Sequence, residues 1–329
     1  MKTTQIAILG AGNIARKMAQ TIQMMKRRGD PVALRAVASR SGEKAQAFAA
    51  QWGVERAYGS YEAMLADDAV DLVYVATPHA MHAEQMLQCI RSGKAVLCEK
   101  AFTGNARQAV EVLALSREKQ VLVAEAIWTR YLPWRGMVRG IIDSGEIGDT
   151  VLADANLGYA IRQVERILRP ELAGGALLDL GVYTLNFAAM TMGTDVVSTQ
   201  STVTMLDTGA DLEEEITLRY RSGASAHLLS TAACRTNRRG IVYGTKGYLE
   251  VDNVNNPLTI SVYDKDGRLT RMLYAPEQLT GFENEVEACL RALEEGAIEC
   301  PEMPHEEILR IMKQMDGLRA QWGMVYPFD

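Results

Sequence analysis

The 329-residue chain contains little cysteine and lacks any long block of basic residues. Its five cysteines are odd in number and scattered, without the paired spacing that zinc sites use, which favours a reducing compartment. The formal net charge is −6, so the chain carries no electrostatic footprint for nucleic acid. The sequence also has no internal repeat and no low-complexity tract. These absences argue against a disulfide scaffold, a nucleic-acid partner and a repeat architecture.

Long apolar runs are also missing, and none is long enough to cross a bilayer. The N-terminus opens on a buried-strand pattern rather than on a charged leader followed by an apolar run. We therefore expect a cytoplasmic protein with no membrane partner. Apolar residues make up 48% of the chain, and 329 residues exceed what one hydrophobic core usually supports. Two domains are the natural expectation.

The most informative motif that is present lies near the N-terminus. The apolar strand Ile6–Leu9 runs directly into a glycine turn and then into a helix. Gly10 permits the sharp turn, and Gly12 lets the backbone approach phosphates with no side chain in the way. The N–H groups at the start of the helix, including those of Asn13 and Ile14, then face the anion. This order predicts a site for the pyrophosphate of a dinucleotide.

Strand and helix patterns alternate through the first 124 residues. Unbroken apolar stretches at Val32–Ser39, Val70–Ala76, Ala95–Cys98 and Val121–Ala124 are typical of parallel strands that are covered on both faces. They predict an α/β fold with a doubly wound Rossmann sheet as the first domain, residues 1–124. Ligands of such sheets bind beyond the carboxyl ends of the strands.

The pattern changes beyond residue 125, where strands follow one another with few helices between them. A helix is predicted around Ala176–Met190. The predicted strands are Val151–Tyr159, Val197–Leu206, Glu214–Tyr220, Ser225–Ala232, Arg239–Tyr243, Tyr248–Val251 and Leu258–Tyr263. Residues 125–329 are therefore expected to form a substrate-binding α+β domain with an open-faced, mostly antiparallel sheet. An uncovered sheet face favours a homodimer that buries it.

The end of the second strand indicates which nucleotide is bound. Folds that prefer NAD place an acidic residue there, whereas this chain has Ser39-Arg40. Arg40 can pair with a 2′-phosphate, Ser39 can donate a hydrogen bond to it, and Lys44 can add a second charge. We predict NADP as the preferred coenzyme, with NAD as the other possibility. In the alternative interpretation Arg40 is an exposed loop residue on which the adenine stacks.

Two further segments follow strands at the edge where the nicotinamide half of the coenzyme is expected. Their predicted coenzyme contacts are Thr77, Pro78, His79, His82, Glu99 and Lys100. The two histidines are three residues apart, but no third ligand stands at a useful spacing. We predict no metal site.

The glycine turn together with Glu99-Lys100-Ala101 resembles the Gfo/Idh/MocA oxidoreductase family, whose hallmark is Glu-Lys-Pro. The departure is Ala101 in place of the proline. Two further segments, Glu125–Tyr131 and Gly174–Tyr183, are similar to the dimeric dihydrodiol dehydrogenases and the NADP-dependent xylose dehydrogenases. The wider family has histidine four residues after the aspartate of the second motif, whereas this branch has tyrosine. The resemblance implies NADP-dependent hydride transfer at a secondary alcohol or hemiacetal carbon of a small sugar, polyol or cyclic diol.

The same resemblance implies the roles of three residues. Tyr183 is the expected general acid/base, Lys100 tunes it and holds the substrate oxygen, and Asp179 orients the substrate. The spacing agrees, because positions i and i+4 share a helical face. A free tyrosine has a pKa of about 10, which a nearby ammonium would lower. The alternatives are a surface lysine, an aspartate that complements the helix N-terminus and a tyrosine in the core.

Trp128 and Arg130 lie just beyond the last predicted parallel strand. They could wall the substrate pocket and touch the coenzyme, or they could pack at a hinge between domains. Two other functions stay open at this level. One is an NADP-binding sensor without turnover, and the other is a reductase of a larger conjugated ligand, as in the biliverdin reductases.

Overall fold

The computed structural model describes residues 2–329. The strands are β1 (Thr4–Leu9), β2 (Val32–Ala38), β3 (Arg56–Tyr58), β4 (Leu72–Val75), β5 (Ala95–Glu99), β6 (Val123–Ala126), β7 (Thr150–Gly158), β8 (Val196–Met205), β9 (Asp211–Tyr220), β10 (Ser225–Thr231), β11 (Gly240–Gly244), β12 (Gly247–Val251), β13 (Thr259–Asp264) and β14 (Leu269–Tyr274). The helices are α1 (Asn13–Arg28), α2 (Gly42–Trp52), α3 (Tyr61–Leu65), α4 (His82–Arg91), α5 (Ala106–Lys119), α6 (Trp134–Asp143), α7 (Glu165–Leu168), α8 (Val182–Met192), α9 (Glu283–Glu295) and α10 (His305–Trp322).

The chain forms two compact units. The first contains the residues up to Trp128 together with Gln278–Met312, and the second contains Thr129–Glu277 and Lys313–Asp329. The units divide the chain differently from the predicted boundary between residues 124 and 125, because a late segment returns to the first unit. Contacts with the backbone of β6 hold that segment: Val123 N donates to Ile298 O at 3.0 Å, and the His305 side chain places Nε2 2.9 Å from Val123 O.

The first unit is built on a parallel sheet with strand order β3-β2-β1-β4-β5-β6. This is the doubly wound order, whose switch point lies between β1 and β4, and it confirms the predicted Rossmann fold. All residues of β4 and β5 are buried, as the unbroken apolar runs predicted. The sheet therefore brings the ends of β1, β2, β4 and β5 to one edge.

The second unit is built on an eight-stranded sheet with order β14-β13-β12-β11-β7-β10-β9-β8. Its pairs are antiparallel except β7 with β10, which run parallel, so the predicted mostly antiparallel sheet is confirmed. Helix α8 packs against β7 and β10. Close packing also explains Gly240, since a Cβ there would lie 2.5 Å from the Phe187 ring. The core of this unit lies between α8 and the sheet.

One helical stretch meets the length and composition of a membrane span, contrary to the expectation from sequence. It covers Pro170–Met192 and has a mean hydropathy of 1.3. Residues buried inside the protein make up 89% of its apolar window. Such burial is the environment of a core helix, which is apolar on every side because protein surrounds it.

Candidate active site

The glycine turn after β1 has the geometry that the sequence predicted. Gly10 adopts φ +107°, and a Cβ there would lie 2.8 Å from Ala76 O at the end of β4. Glycine is thus required at this position by both backbone conformation and space. A Cβ at Gly12 would meet no atom within 4 Å among the described residues, so space is open at the start of α1.

The start of α1 also suits an anion electrostatically. Within residues 2–329, no side chain caps this helix and its first turn contains no acidic residue. The N–H groups of the first turn, which include those of Asn13 and Ile14, have no partner inside the helix, and the helix dipole places partial positive charge there. These residues fit the pyrophosphate of a dinucleotide.

Arg40 lies at the end of β2, where the adenosine half of a dinucleotide would lie. It is exposed and lines a cavity of about 360 Å³ together with Tyr61, Gln85 and two carboxylates, Glu62 and Glu84. Burial raises the pKa of Tyr61, and the Arg40 charge opposes that rise. An arginine and an aromatic ring at one cavity suit an adenine and a phosphate group.

The neighbouring polar residues begin the next helix. Ser39 Oγ accepts from Ser41 N at 3.4 Å, and Ser41 Oγ caps α2 by accepting from Lys44 N at 3.3 Å. The Lys44 side chain is exposed on the first turn of α2. A serine hydroxyl that accepts through a lone pair retains its O–H as a donor.

The segment after β4 is fixed by buried polar contacts. Thr77 Oγ1 donates to Gln85 Oε1 at 2.5 Å, and Pro78 precedes a 3-10 turn that begins at His79. The ring of His79 meets that of His82 edge-on, with centroids 5.7 Å apart. The loop that carries the predicted nicotinamide contacts is therefore ordered by its own side chains.

His82, a predicted coenzyme contact, lies between two loops of the first unit. Its ring is fully buried, with Nε2 2.8 Å from Thr77 O and Nδ1 2.9 Å from Ala101 O. Burial lowers the pKa of this imidazole. Because both ring nitrogens face backbone carbonyls, His82 ties the loop after β4 to the loop after β5.

Lys100 stands at the carboxyl end of β5 and is half-buried. Its peptide bond to Ala101 is cis. The backbone of Phe102 is held by a buried side chain, because Phe102 N donates to Glu125 Oε1 at 3.0 Å. The backbone directly after the lysine, at Ala101 and Phe102, is thus fixed by His82 and Glu125.

Glu99 lies beside the lysine in sequence but forms its contacts in the interior of the unit. Tyr74 donates its phenolic hydrogen to Glu99 Oε1. Burial, followed by the Glu99 charge, raises the pKa of Tyr74 well above its usual range. Burial and the same Glu99 charge also raise the pKa of Glu285 on α9. Glu99 therefore supports the loop from the interior.

Trp128 and Arg130 fall into different units and form different contacts. In the first unit, Trp128 stacks on Phe282 with centroids 4.6 Å apart and an interplanar angle of 11°. In the second unit, Arg130 is buried and its Nε donates to Asn186 Oδ1 on α8 at 2.6 Å. Each of the two residues therefore makes this contact inside its own unit.

Asp179 and Tyr183 lie on neighbouring turns of the second unit. Asp179 belongs to a π-helical turn, Leu177–Gly181, and Tyr183 belongs to the first turn of α8. Their residues are 5% and 8% exposed, so only a small part of each reaches solvent. The π turn replaces the regular helix on which the i, i+4 argument relied, and such turns are frequent at functional sites.

Three charged residues around this motif were missed by the sequence reasoning. Arg166 binds both carboxylate oxygens of Asp179, at 3.3 Å from Nε and 2.9 Å from the second guanidinium nitrogen. Asp211 and Glu214 on β9 are fully buried beside the π turn. The sequence indicates Asp211 and Glu214 only indirectly. Gly175 and Gly181 mark places where some other group approaches the backbone closely. Across residues 2–329, no group of three His, Cys, Asp or Glu side chains is placed to hold a metal ion.

Both halves of the chain match models of one protein family. The oxidoreductase family with an NAD-binding Rossmann fold (GFO/IDH/MocA) matches residues 4–127, and the GFO/IDH/MocA C-terminal domain matches residues 137–250. The trans-1,2-dihydrobenzene-1,2-diol dehydrogenase of Xenopus tropicalis is 32% identical over 298 residues, which cover 89% of this chain and 90% of that protein.

Solved structures give the same fold. KijD10, a 3-ketoreductase from Actinomadura kijaniata in complex with NADP and TDP-benzene, superposes with a TM-score of 0.87 and 26% identity, covering 97% of this chain and 98% of that one. The aldose-aldose oxidoreductase of Caulobacter crescentus also has a TM-score of 0.87, with 22% identity and 98% of both chains covered. At 22% identity, the match to the Caulobacter crescentus enzyme shows a shared fold.

The glycine turn yields a prediction about stability. Gly10→Ala places a side chain at positive φ and against Ala76 O, and should lower the free energy of unfolding by about 1–3 kcal/mol. Chemical denaturation measures this change. Gly136→Ala is the matched control, because a Cβ at this position in α6 would meet no atom of residues 2–329 within 4 Å. An unchanged stability of Gly10→Ala would contradict the role given to this turn.

Proposed function

The chain belongs to the Gfo/Idh/MocA oxidoreductase family, and we propose that it transfers hydride between NADP and a carbinol carbon of a small sugar, polyol or cyclic diol. The observation that carries the proposal is the turn from β1 into α1, where Gly10 and Gly12 leave space for a pyrophosphate in front of an uncapped helix. A dihydrodiol dehydrogenase relative and an NADP-bound 3-ketoreductase of the same fold support the substrate class and the coenzyme.

The coenzyme would supply the hydride chemistry itself. In the first unit, the glycine turn would hold its pyrophosphate, Arg40 its 2′-phosphate, and the loops after β4 and β5 its nicotinamide half. His82 and Glu125 keep the backbone around Lys100 in place. Fixing that backbone in advance lowers the cost of holding an ammonium at a substrate oxygen.

The proton steps are assigned to the chain's own side chains. Tyr183 is the general acid/base that exchanges a proton with the substrate hydroxyl, and Lys100 holds the substrate oxygen as an ammonium donor. Asp179 orients further hydroxyl groups by accepting their hydrogen bonds, and Arg166 fixes its carboxylate in a bidentate pair. General acid/base catalysis of this type contributes about a hundred- to ten-thousandfold.

Turnover tests these roles directly. With NADP(H) and a panel of sugars, polyols and cyclic diols, Tyr183→Phe and Lys100→Met should each lower kcat by about a hundredfold or more. Absorbance at the nicotinamide band measures the rate. Tyr274→Phe, which alters an exposed tyrosine on β14, is the control and should leave kcat unchanged. Near-normal turnover in both variants would remove the assignment, and coenzyme binding without turnover in the wild type would identify a sensor.

Coenzyme preference tests Arg40. A charge-assisted hydrogen bond contributes about 1.5–3 kcal/mol, so Arg40→Ala should lower kcat/KM for NADP by about 10- to 100-fold. The value for NAD should change far less, because NAD lacks the 2′-phosphate. Arg91→Ala, which removes an exposed arginine from α4, is the matched control. An equal loss of kcat/KM with both coenzymes would mean that Arg40 does not bind the 2′-phosphate.

We also propose that two copies of the chain associate through the outer face of the second sheet. Three tyrosines lie side by side across that face: the tilted rings of Tyr243 and Tyr248 have centroids 5.5 Å apart, and the stacked rings of Tyr248 and Tyr263 have centroids 4.5 Å apart. Each is half-buried. Tyrosine is enriched at protein interfaces because its ring is apolar and its hydroxyl can still form hydrogen bonds.

The oligomeric state tests this surface. Light scattering should give a dimer for the wild type and a monomer for Tyr248→Glu, since the variant places an uncompensated charge in the middle of the contact. Val110→Glu makes the same kind of change at an exposed position of α5 and should remain dimeric. A wild type that is monomeric at micromolar concentration would refute the proposal.

A further inference from the structure

Two buried acids lie beneath the turn that carries Asp179. Asp211 and Glu214 are both fully buried on β9. The carboxyl groups of Asp211 and Glu214 contact each other, and the Ser230 hydroxyl also reaches Glu214. Two carboxylates without a cation beside them cannot both stay ionised in the interior, because the second charge has neither solvent nor a counterion. A shared proton resolves this conflict.

The backbone identifies which of the two acids keeps the charge. Leu177 N, in the first residue of the π turn, donates to Asp211 Oδ2 at 2.6 Å. The amides of Leu177 and Ala176 favour the ionised form of Asp211, although burial still raises its pKa to about 6. Burial, and then the Asp211 charge, raise the pKa of Glu214 well above its usual range. Asp211 is thus the acceptor and Glu214 the protonated partner.

Each acid closely approaches one glycine of the Gly174–Tyr183 segment. Gly175 adopts φ +119°, and a Cβ there would lie 2.8 Å from Asp211 Cγ. A Cβ at Gly181 would lie 2.5 Å from Glu214 Oε1. The two glycines bracket Asp179, and Gly181 stands two residues before Tyr183. Each acid therefore reaches the backbone at one end of the segment.

Other charged and titratable groups approach the pair from different elements. Glu213 lies on β9 directly before Glu214, and its charge further raises the pKa of Glu214. Tyr326, near the C-terminus, donates its phenolic hydrogen to Gly174 O at 2.8 Å, and Arg319 lies over its ring. The charge of Asp211 contributes to raising the Tyr326 pKa. The carbonyl just before Gly175 is thereby fixed as well, so the segment is held at both ends.

We propose that Asp211 and Glu214 are positioning residues that hold the Gly175–Tyr183 segment through one shared proton, and so set the placement of Asp179 and Tyr183. The consequence for catalysis rests on the proposed function, but the effect on the segment itself does not. A displacement of about 1 Å at a reacting group costs on the order of a hundredfold in rate. The acids act on the rate only through the groups that they position.

Kinetics test the proposal with paired substitutions. Glu214→Gln keeps the shape and the hydrogen atom of a protonated carboxyl, so kcat should stay within about threefold of the wild type. Glu214→Ala and Asp211→Ala should lower kcat by about tenfold or more, with the KM for NADP unchanged because the first unit binds the coenzyme. Asp207→Ala, at an exposed carboxylate in the turn before β9, is the control. Unchanged kcat in both alanine variants, or a Glu214→Gln variant as impaired as Glu214→Ala, would overturn the proposal.

Hydrogen exchange gives a measurement that needs no turnover. Peptides that cover residues 175–186 should exchange about tenfold faster in Asp211→Ala than in the wild type, while peptides of β5 and α5 should not change. Glu214→Gln should keep the wild-type protection. If Asp211→Ala does not fold, Asp211→Asn replaces it and should expose the same peptides, because the charge that faces the two amides is lost. If the alanine or asparagine variant exchanges at the same rate as the wild type, the positioning role is refuted. If the variants exchange as expected but the wild type shows no turnover, only the proposed function is refuted.

Discussion

Buried polar side chains that bind the backbone of irregular segments are the constraint on which both units depend. A loop that carries chemistry cannot form the regular hydrogen bonds of a helix or sheet, yet its buried N–H and C=O groups still need partners. In the first unit His82 and Glu125 supply those partners to Ala101 and Phe102, directly after Lys100. In the second unit Asp211 supplies one to the π turn that contains Asp179. The predicted site residues thus sit on backbone that other residues hold.

Glycine has the complementary role in both units. Gly10 lets the end of β1 approach Ala76 O, and Gly175 lets the backbone approach Asp211. Both have positive φ, which a side chain disfavours. In the first case the contact opens a space for a ligand, and in the second it admits a buried carboxyl. A glycine in a motif therefore reports a close approach, but the sequence around it does not say what approaches.

This difference explains how far the sequence could predict the molecule. The parallel strands β1, β2, β4, β5 and β6 were predicted because continuous apolar runs mark strands buried on both faces. Strand β3 was missed because it has three residues, of which Arg56 and Ala57 are exposed. Strand β14 was missed because five of its six residues are exposed, so no alternation appears. The return of residues 278–312 to the first unit could not be predicted, since single contacts between residues far apart in the sequence hold it, such as that of His305 with Val123.

The candidate site divides in the same way. The resemblance of two motifs to the Gfo/Idh/MocA family singled out Lys100, Asp179 and Tyr183, and their roles stay predictions. The π turn could not be predicted, since nothing in Leu177–Gly181 distinguishes it from an α-helical turn. Asp211 and Glu214 lie on a strand some thirty residues beyond the turn that they support. Asp211 and Glu214 contact this turn only in the folded structure. The alternating pattern of a strand does not indicate which backbone segment a buried acid on it will contact.

In the proposed function, coenzyme choice rests on short-range contacts rather than on overall charge. The chain is acidic, and Glu62 and Glu84 line the same cavity as Arg40. At physiological ionic strength charges are screened over about 8 Å, so exposed carboxylates across a cavity count for less than a guanidinium in contact. Arg40 can bind two phosphate oxygens at once through its planar fork, and no single hydrogen bond of Ser39 replaces that. In the proposed function, the preference for a 2′-phosphate therefore rests on this one side chain rather than on the net charge around it.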